Sequence, residues 1–314
     1  MVDRTKLFSA IADEEKQFIA KHPVSLAASK LASKSLIGGV PMPWMKRWPG
    51  AFPISVQSAK GARFIDVDGI EYIDFCLGDT GSMTGHAVTE ITDAIARQLS
   101  RGSTVMLPSE DSTWVGAELT KRFGLAKWQF SVSATDANRF VLRLARHITK
   151  RPKILVHDWC YHGTVDETLV IADDKGQTIS RHGAIGPQVH PSLTTRVVPF
   201  NDLEKLEQQL SFGDVACMLI EPALTNIGIV LPDAGYLAGV RELTRKYGTL
   251  LIIDETHTIC AGPGGATKLW NLEPDMLVIG KTIGGGIPVA AYGLSAELAA
   301  RAELSLDSHD VDVS

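Results

Sequence analysis

The sequence predicts an α/β fold with a mostly parallel central sheet flanked by helices. From about residue 87 onward, segments with helical periodicity alternate with short apolar runs of the kind that form buried strands. Such alternation is typical of parallel sheets whose helices cover both faces. Several apolar runs also end directly in a polar or charged residue, and ligands bind beyond the carboxyl ends of parallel strands. We therefore expect a ligand site at that edge of the sheet.

The first 77 residues are predicted to form the helix, loop and hairpin of a small lobe. Residues 1 to about 35 are amphipathic, and residues 36–55 are rich in Gly, Pro, Met and Trp, which indicates a loop. Apolar and polar residues then alternate around Asp68-Gly69, which indicates a β-hairpin. We expect a large α/β domain over residues 78–304 and the start of a C-terminal domain over residues 305–314.

Within the large domain, the periodicity locates the individual elements. The predicted helices lie at 88–100, 112–123, 137–148, 203–210 and 236–247. The predicted strands lie at 128–132, 154–157, 197–200, 215–220, 250–253 and 276–279. Because parallel strands share one carboxyl edge, we expect convergence there of the polar residues that end or follow these strands, namely His157, Glu221, Asp254 and Lys281.

Composition argues against several functional classes. The net charge of −5 gives no reason to expect nucleic acid or an anionic membrane as a partner. No uncharged apolar run is long enough to span a bilayer, and the charged start lacks the apolar core of a signal peptide. The 4 cysteines are scattered, so we expect reduced thiols in a cytoplasmic protein. His157 and His162 are spaced wrongly for one helical face, which argues against a zinc site.

Lys281 and Asp254 suggest specific chemistry. Each closes an apolar run, and Lys281 leads into the triple glycine of T-I-G-G-G-I-P. A lysine buried at a sheet edge is costly unless its charge is used. One use is a Schiff base with an aldehyde cofactor. An acid nearby would then keep the ring nitrogen of the cofactor protonated. A solvated lysine and a helix-capping acid are the alternative, and these two residues alone do not decide. A phosphate-binding P-loop is excluded because Asp275 stands where that motif needs glycine.

A second candidate is the turn Ser133-Ala134-Thr135, between a predicted strand and a predicted helix. Backbone amides at a helix N-terminus bind phosphate, although plain capping of the helix explains the same residues. Tyr161 in a later turn could stack on a flat ring, with Gly163 permitting close approach. The order along the chain is phosphate turn, aromatic residue, acid and lysine.

At this point the chain resembles the class III pyridoxal-phosphate (PLP) aminotransferases, especially the branch around glutamate-1-semialdehyde aminomutase. The resemblance runs from about residue 38 to the end, through S-A-T-D-A-N, Y-H-G, I-E-P-A-L-T-N, D-E-T-H-T and I-G-K-T-I-G-G-G-I-P-V-A-A-Y-G. It implies fold type I, a homodimer with shared active sites, and a lysine aldimine with PLP. It also implies transfer of an amino group from an amine or amino acid to a keto or aldehyde acceptor.

The resemblance also implies roles for individual residues. Lys281 would form the aldimine, and Asp254 would pair with the pyridinium nitrogen. The turn 133–135 would hold the phosphate. The ring would lie between Tyr161 and Thr256, where relatives usually carry valine. The residues expected near its polar edge are Glu221 and Asn226. His257 has no assigned role and is expected to be structural.

Two departures from the family pattern matter. Relatives usually carry glycine where this chain has Ala134, and because the backbone amide remains we expect the methyl group to be tolerated. Family members also continue well beyond residue 314, so we expect a fragment with an incomplete small domain. Two alternatives to an aminotransferase therefore stay open: an aminomutase, which keeps the amino group on one carbon skeleton, and a truncated non-catalytic product.

Overall fold

A computed structural model describes residues 3–307 of the chain. Contacts divide the chain into two compact units, with the boundary between Ser103 and Thr104. The domain limits expected from the sequence, 1–77, 78–304 and 305–314, remain predictions, and residues 308–314 lie outside the described part. No helix among the described residues is long and apolar enough to cross a membrane.

The described part of the first unit contains three α-helices and a small antiparallel sheet. Its elements are α1 (Arg4–Lys21), α2 (Pro23–Ala32), β1 (Val56–Lys60), β2 (Arg63–Asp66), β3 (Glu71–Ile73) and α3 (Thr89–Leu99). β2 and β3 form the predicted hairpin, and Gly69 in its turn has a φ of 84°, which glycine adopts without strain. Asp68 accepts hydrogen bonds from the backbone of Val24 and Ser25 and so ties the turn to the start of α2.

The second unit is built on a seven-stranded sheet with a two-stranded hairpin beside it. Its strands are β4 (Lys127–Ser131), β5 (Lys153–His157), β6 (Val170–Ala172), β7 (Thr178–Ser180), β8 (Thr195–Val198), β9 (Val215–Ile220), β10 (Leu250–Asp254), β11 (Met276–Ile279) and β12 (Ala290–Leu294). The order in the large sheet is β4-β12-β11-β10-β9-β5-β8, and β6 pairs with β7. β12 is antiparallel to both neighbours, whereas the other described strands of this sheet run parallel.

Helices cover both faces of this sheet. They are α4 (Glu110–Phe123), α5 (Ala134–Thr149), α6 (Leu203–Leu210), α7 (Tyr236–Lys246), α8 (Gly265–Leu269) and α9 (Ala296–Asp307). Successive side chains of a strand point to opposite faces. In β10, Ile252 therefore packs into the core beneath α5, while Leu251 and Ile253 pack into the core beneath α6 and α7. The predicted α/β architecture is confirmed.

The sheet topology determines where the polar residues meet. β4, β5, β9, β10 and β11 are parallel, so their carboxyl ends lie along one edge. Of the residues predicted to converge, His157 and Asp254 are the last residues of β5 and β10, and Glu221 and Lys281 lie in the segments that follow β9 and β11. The 133–135 turn and Tyr161 follow β4 and β5 at the same edge. The predicted strand limits 215–220 and 276–279 match β9 and β11, whereas β1, β6, β7, β12 and α9 were not predicted.

Candidate active site

Lys281 occupies a constrained position directly after β11. Its backbone φ is 47°, in the left-handed region that glycine adopts freely and other residues adopt at a cost. Such strain is common at functional sites, where the surrounding structure holds it. The amine points to the neighbouring strand end, because Nζ lies 2.7 Å from Nε2 of His257.

Asp254 ends β10 as a buried carboxylate that is 4% exposed. Its Oδ2 lies 2.9 Å from Nδ1 of His162 and accepts a hydrogen bond of 2.9 Å from the Asn138 side chain. Its Oδ1 accepts from the backbone N–H of Thr256 at 3.0 Å and from the Thr256 hydroxyl at 2.5 Å. Four donors therefore fix the orientation of this carboxylate.

Asp254 and His162 shift each other's pKa in opposite directions. Burial alone would raise the pKa of Asp254, but the hydrogen bond and charge of His162, with further hydrogen bonds from Thr256 and Asn138, hold that pKa below its ordinary value. Burial alone would lower the pKa of His162, but Cys160 and the bonded Asp254 carboxylate raise it well above its ordinary value. In this buried pair the shifts of both pKa values therefore run toward the charged forms.

Gly280 shows how closely three segments approach one another. A Cβ atom added there would lie 3.0 Å from Cβ of Ala134 and 3.6 Å from Cγ2 of Thr256. Because Gly280 directly precedes Lys281, the 133–135 turn, the end of β10 and the lysine meet at one point. The structure thus brings together the two predicted catalytic residues, Asp254 and Lys281, and the predicted phosphate turn.

The 133–135 turn begins α5. The Ser133 hydroxyl accepts from the backbone N–H of Asp136 at 3.2 Å, so Ser133 does cap the helix, as the simpler interpretation expected. Thr135 faces the next turn, since its Oγ1 accepts from the backbone N–H of Thr164 at 3.2 Å. Gly163, with a φ of 75°, leaves room for Thr135: an added Cβ would lie 2.1 Å from Thr135 Oγ1.

Glu221 holds one further predicted residue, Tyr161, at this edge. It is 3% exposed, and its Oε1 accepts from the backbone N–H of Tyr161 at 3.1 Å. Its Oε2 accepts from the Thr225 hydroxyl at 2.6 Å. Tyr161 as a residue is 37% exposed, so it is accessible to a ligand. Asn226 follows in the same loop and is exposed, so the contacts of Glu221 place Tyr161 but not Asn226.

Three residues of the network were not assigned roles from the sequence. His162 and Asn138 bind Asp254, and His257 binds Lys281. His157, which was expected to converge with the site, is instead a buried partner of the Tyr236 hydroxyl at 2.7 Å. Burial, aided by the positive charge of His162, lowers the pKa of His157 to about 3, so it stays neutral.

These residues suit an aldehyde cofactor with a ring nitrogen and a phosphate. The buried carboxylate stays ionised, as pairing with a pyridinium requires, and an amine lies at the adjacent strand end. The 133–135 turn lies at the N-terminus of a helix, where anions bind. Gly163 packs closely against Thr135 of this turn, and Gly280 packs closely against Ala134.

Residues 44–308 match the family model of the class-III aminotransferases. The chain belongs to the class-III aminotransferase family. The family predicted from the sequence is therefore confirmed, and so is the fold type I architecture of PLP-dependent aminotransferases.

Curated relatives of this class-III aminotransferase chain include the glutamate-1-semialdehyde 2,1-aminomutase of Thermodesulfovibrio yellowstonii. The two are 37% identical over 277 residues, which is 86% of this chain and 65% of the relative. The corresponding enzyme of Sulfurihydrogenibium azorense is 39% identical over 274 residues, or 64% of its length. The chain thus spans slightly less than two thirds of the curated relatives that it matches.

A solved structure gives a closer match. The chain is similar to a glutamate-1-semialdehyde-aminomutase from Pseudomonas aeruginosa PAO1, with 50% identity and a TM-score of 0.94 over 97% of this chain and 67% of that one. A lysine-to-alanine variant of that protein was solved in complex with PMP and is 49% identical, with the same TM-score and coverage.

Proposed function

We propose that this chain binds pyridoxal phosphate and serves an enzyme that moves an amino group. The reaction would take the group from an amine or amino acid and pass it to a keto or aldehyde acceptor. When bound, the cofactor supplies an electron sink for carbanion chemistry. Support comes from membership of the class-III aminotransferases and from the geometry around Gly280.

The proposed roles follow from the contacts of each residue. Lys281 would attach the cofactor's aldehyde and later move protons at the substrate carbon. Asp254 would pair with the ring nitrogen, and its four hydrogen-bond donors would hold it in position. The 133–135 turn would bind the phosphate through backbone amides and hydroxyls.

Three further roles concern the ring of the cofactor. Tyr161 would lie against one face, because its half-exposed side chain follows β5 at the shared edge. Thr256 would lie against the other face, and its hydroxyl already binds Asp254. Glu221 and Asn226 would lie near the polar edge of the ring.

One observation supports the proposal above the others. A Cβ atom added at Gly280, the residue before Lys281, would lie 3.0 Å from Cβ of Ala134 and 3.6 Å from Cγ2 of Thr256, so the backbone beside the lysine runs close to the 133–135 turn and to the segment after β10. Asp254 is a buried carboxylate whose pKa is lowered, and such perturbed groups cluster at functional sites. The alternative interpretation, in which Lys281 is an ordinary solvated lysine, does not account for this carboxylate.

An aminomutase is the second candidate. The two relatives described above, at 37% and 50% identity, are named glutamate-1-semialdehyde aminomutases, and these names support the aminomutase reaction as an alternative to transfer between two molecules. The substrate and the acceptor are not determined by the contacts described above. Conversion of one amino aldehyde without any keto acceptor would identify an aminomutase.

The experiment begins with the chain and its Lys281→Ala variant, each incubated with pyridoxal phosphate. Borohydride reduction should leave the cofactor covalently attached to the peptide that contains Lys281 in the chain, and the variant should bind the cofactor without covalent attachment. Attachment at any other lysine, or none at all, would refute the proposal. A panel of amine donors, with and without a keto acceptor, would then separate transfer from mutase activity.

We also propose a homodimer and a cytoplasmic location. The phosphate turn offers hydroxyls and amides but no cation of its own, whereas a phosphate carries nearly two negative charges. A second subunit could supply the missing donors. Sedimentation of the active protein as a monomer would contradict the dimer.

A further inference from the structure

The Asp254 carboxylate has as many hydrogen-bond donors as it has acceptor sites. An ionised carboxylate offers about four lone pairs, two on each oxygen, and donates no hydrogen of its own. Oδ1 accepts from the backbone N–H of Thr256 at 3.0 Å and from its hydroxyl at 2.5 Å. Oδ2 accepts from the Asn138 side chain and from Nδ1 of His162, each at 2.9 Å. A ring nitrogen that pairs with Asp254 therefore competes with one of these donors.

The four donors differ in how easily they can yield. The Thr256 N–H belongs to the backbone that leaves β10, and Asn138 also donates to the backbone oxygen of His162 at 3.2 Å. Asn138 and His162 are 0% and 1% exposed, so releasing either would leave a buried polar group without this partner. Thr256 is 8% exposed, and a single side-chain torsion turns its hydroxyl away from Oδ1. The Thr256 hydroxyl is therefore the donor that can give way.

We propose that the Thr256 hydroxyl occupies the acceptor site of Asp254 that the ring nitrogen of the cofactor requires, and that this hydroxyl is displaced when the cofactor binds. The inference rests on the proposed function, in which Asp254 pairs with that nitrogen. Thr256 thereby fills the acceptor site only while the cofactor is absent.

One contact thus has opposite effects on two properties of the protein. A hydrogen bond to a charged acceptor is stronger than one between neutral groups, so the hydroxyl stabilises the cofactor-free chain. The same hydrogen bond must be broken before the ring nitrogen can use Oδ1, so the hydroxyl lowers the affinity for the cofactor. A residue that only filled space after β10 would not couple stability and affinity in this way.

Thr256→Val is the decisive variant, because valine keeps the branched shape of threonine but cannot donate to Asp254. The probe is pyridoxamine phosphate, which has the ring nitrogen but no aldehyde with which to attach to a lysine. Calorimetric titration of the full chain should show a dissociation constant that falls about 10-fold in the variant. The cofactor-free variant should nevertheless melt at a lower temperature than the unaltered chain.

Two further variants serve as controls. Thr256→Ser keeps the hydroxyl and should retain the affinity of the unaltered chain. Thr258 also donates its hydroxyl to a buried carboxylate, Oε2 of Glu255, at 2.6 Å. Thr258→Val should therefore lower the melting temperature without tightening the binding of pyridoxamine phosphate.

A second probe separates this effect from contact between the valine methyl group and the ring. It is the analogue of pyridoxamine phosphate with carbon in place of the ring nitrogen, which does not need the Asp254 acceptor. The analogue should bind equally to Thr256→Val and to the unaltered chain. The same gain with both probes, or no gain with pyridoxamine phosphate, would overturn the inference.

Failure of the inference and failure of the proposed function give different results. Borohydride trapping of pyridoxal phosphate at Lys281, with no gain of affinity in Thr256→Val, would remove only the inference about Thr256. If the unaltered chain and the variants bound neither pyridoxal phosphate nor pyridoxamine phosphate, both the proposed function and the inference would be removed.

Discussion

The Asp254 carboxylate and the His162 imidazole form a buried pair, with 2.9 Å between Oδ2 and Nδ1. They come from different strand ends, β10 and the turn after β5, and Asn138 on α5 donates to the same carboxylate oxygen. The pair thus joins three elements beneath the proposed ring position. Removing either partner would leave the other charge buried alone, which is costly.

This pair should make stability depend on pH. Because folding raises the pKa of His162, its contribution to the free energy of unfolding is complete below about pH 6.5. This contribution is lost as the pH rises through the raised pKa of the folded protein. Because folding lowers the pKa of Asp254, its contribution to the free energy of unfolding is present above about pH 3.8. This contribution is lost as the pH falls through the lowered pKa of the folded protein. The stabilisation is therefore greatest between these two reference values.

His162→Gln tests this dependence. We expect the variant to lose about 3 kcal/mol of unfolding free energy near pH 6, and the loss should shrink on the alkaline side. Urea unfolding of both proteins at several pH values provides the measurement, with His182→Gln at an exposed site as the control. A loss that is constant from acid to alkaline pH would contradict the charged pair.

The left-handed backbone at Lys281 predicts an unusual order of stabilities. Lys281→Gly should be more stable than Lys281→Ala by about 1 kcal/mol, because glycine adopts a φ of 47° without the steric cost that alanine keeps. The control is Lys268, inside helix α8, where alanine should instead exceed glycine by about 0.5–1 kcal/mol. Equal stabilities at position 281 would show that the backbone there is not strained.

Gly163 should tolerate no side chain. Gly163→Ala would place Cβ 2.1 Å from the Thr135 hydroxyl at a φ of 75°, so we expect a loss of at least about 2 kcal/mol and weaker phosphate binding. Gly213→Ala is the matched control, since its φ is 73° but nothing lies within 4 Å of an added Cβ. The control should lose only about 1 kcal/mol. Similar losses at both positions would mean that Thr135 does not approach Gly163.

Asp254→Asn should separate folding from chemistry. Asparagine fills the same volume and can still accept from Thr256, so the secondary structure should persist in circular dichroism. If the proposed function holds, amino transfer should fall by about 10²-fold or more, because a preorganised charge beside the ring nitrogen is lost. A rate equal to that of the unaltered protein would rule out the proposed role of Asp254.

Much of the fold was predictable because buried parallel strands are continuous apolar runs. V-A-C-M-L-I lies between Asp214 and Glu221, and M-L-V-I lies between Asp275 and Gly280, and the predicted limits agree with β9 and β11. β12 was not predicted because A-A-Y-G-L contains two alanines and Gly293, residue types that are depleted in strands. That glycine is explained only by tertiary structure, since an added Cβ would lie 2.8 Å from the Trp128 ring on β4.

The candidate site was predictable in part for the same reason. Lys281 and Asp254 end apolar runs, so their position at the sheet edge follows from local sequence. His162 and Asn138 do not, because their importance depends on reaching a carboxylate from distant segments of the chain. No local pattern encodes such a contact, and the Y-H-G and D-A-N motifs indicated the turn and the helix start without indicating the shared partner.

The position of β12 has a consequence for the order in which the protein can assemble. Ser131 at the end of β4 pairs with Ala290, and β12 alone joins β4 to β11 in the sheet. During synthesis from the N-terminus, β4 therefore waits until the distant β12 has been made before it gains this sheet partner. Pairing between such distant segments is slow because a long loop must close first. The proposed phosphate turn, which directly follows β4, should thus be among the last parts of the site to become ordered in the nascent protein.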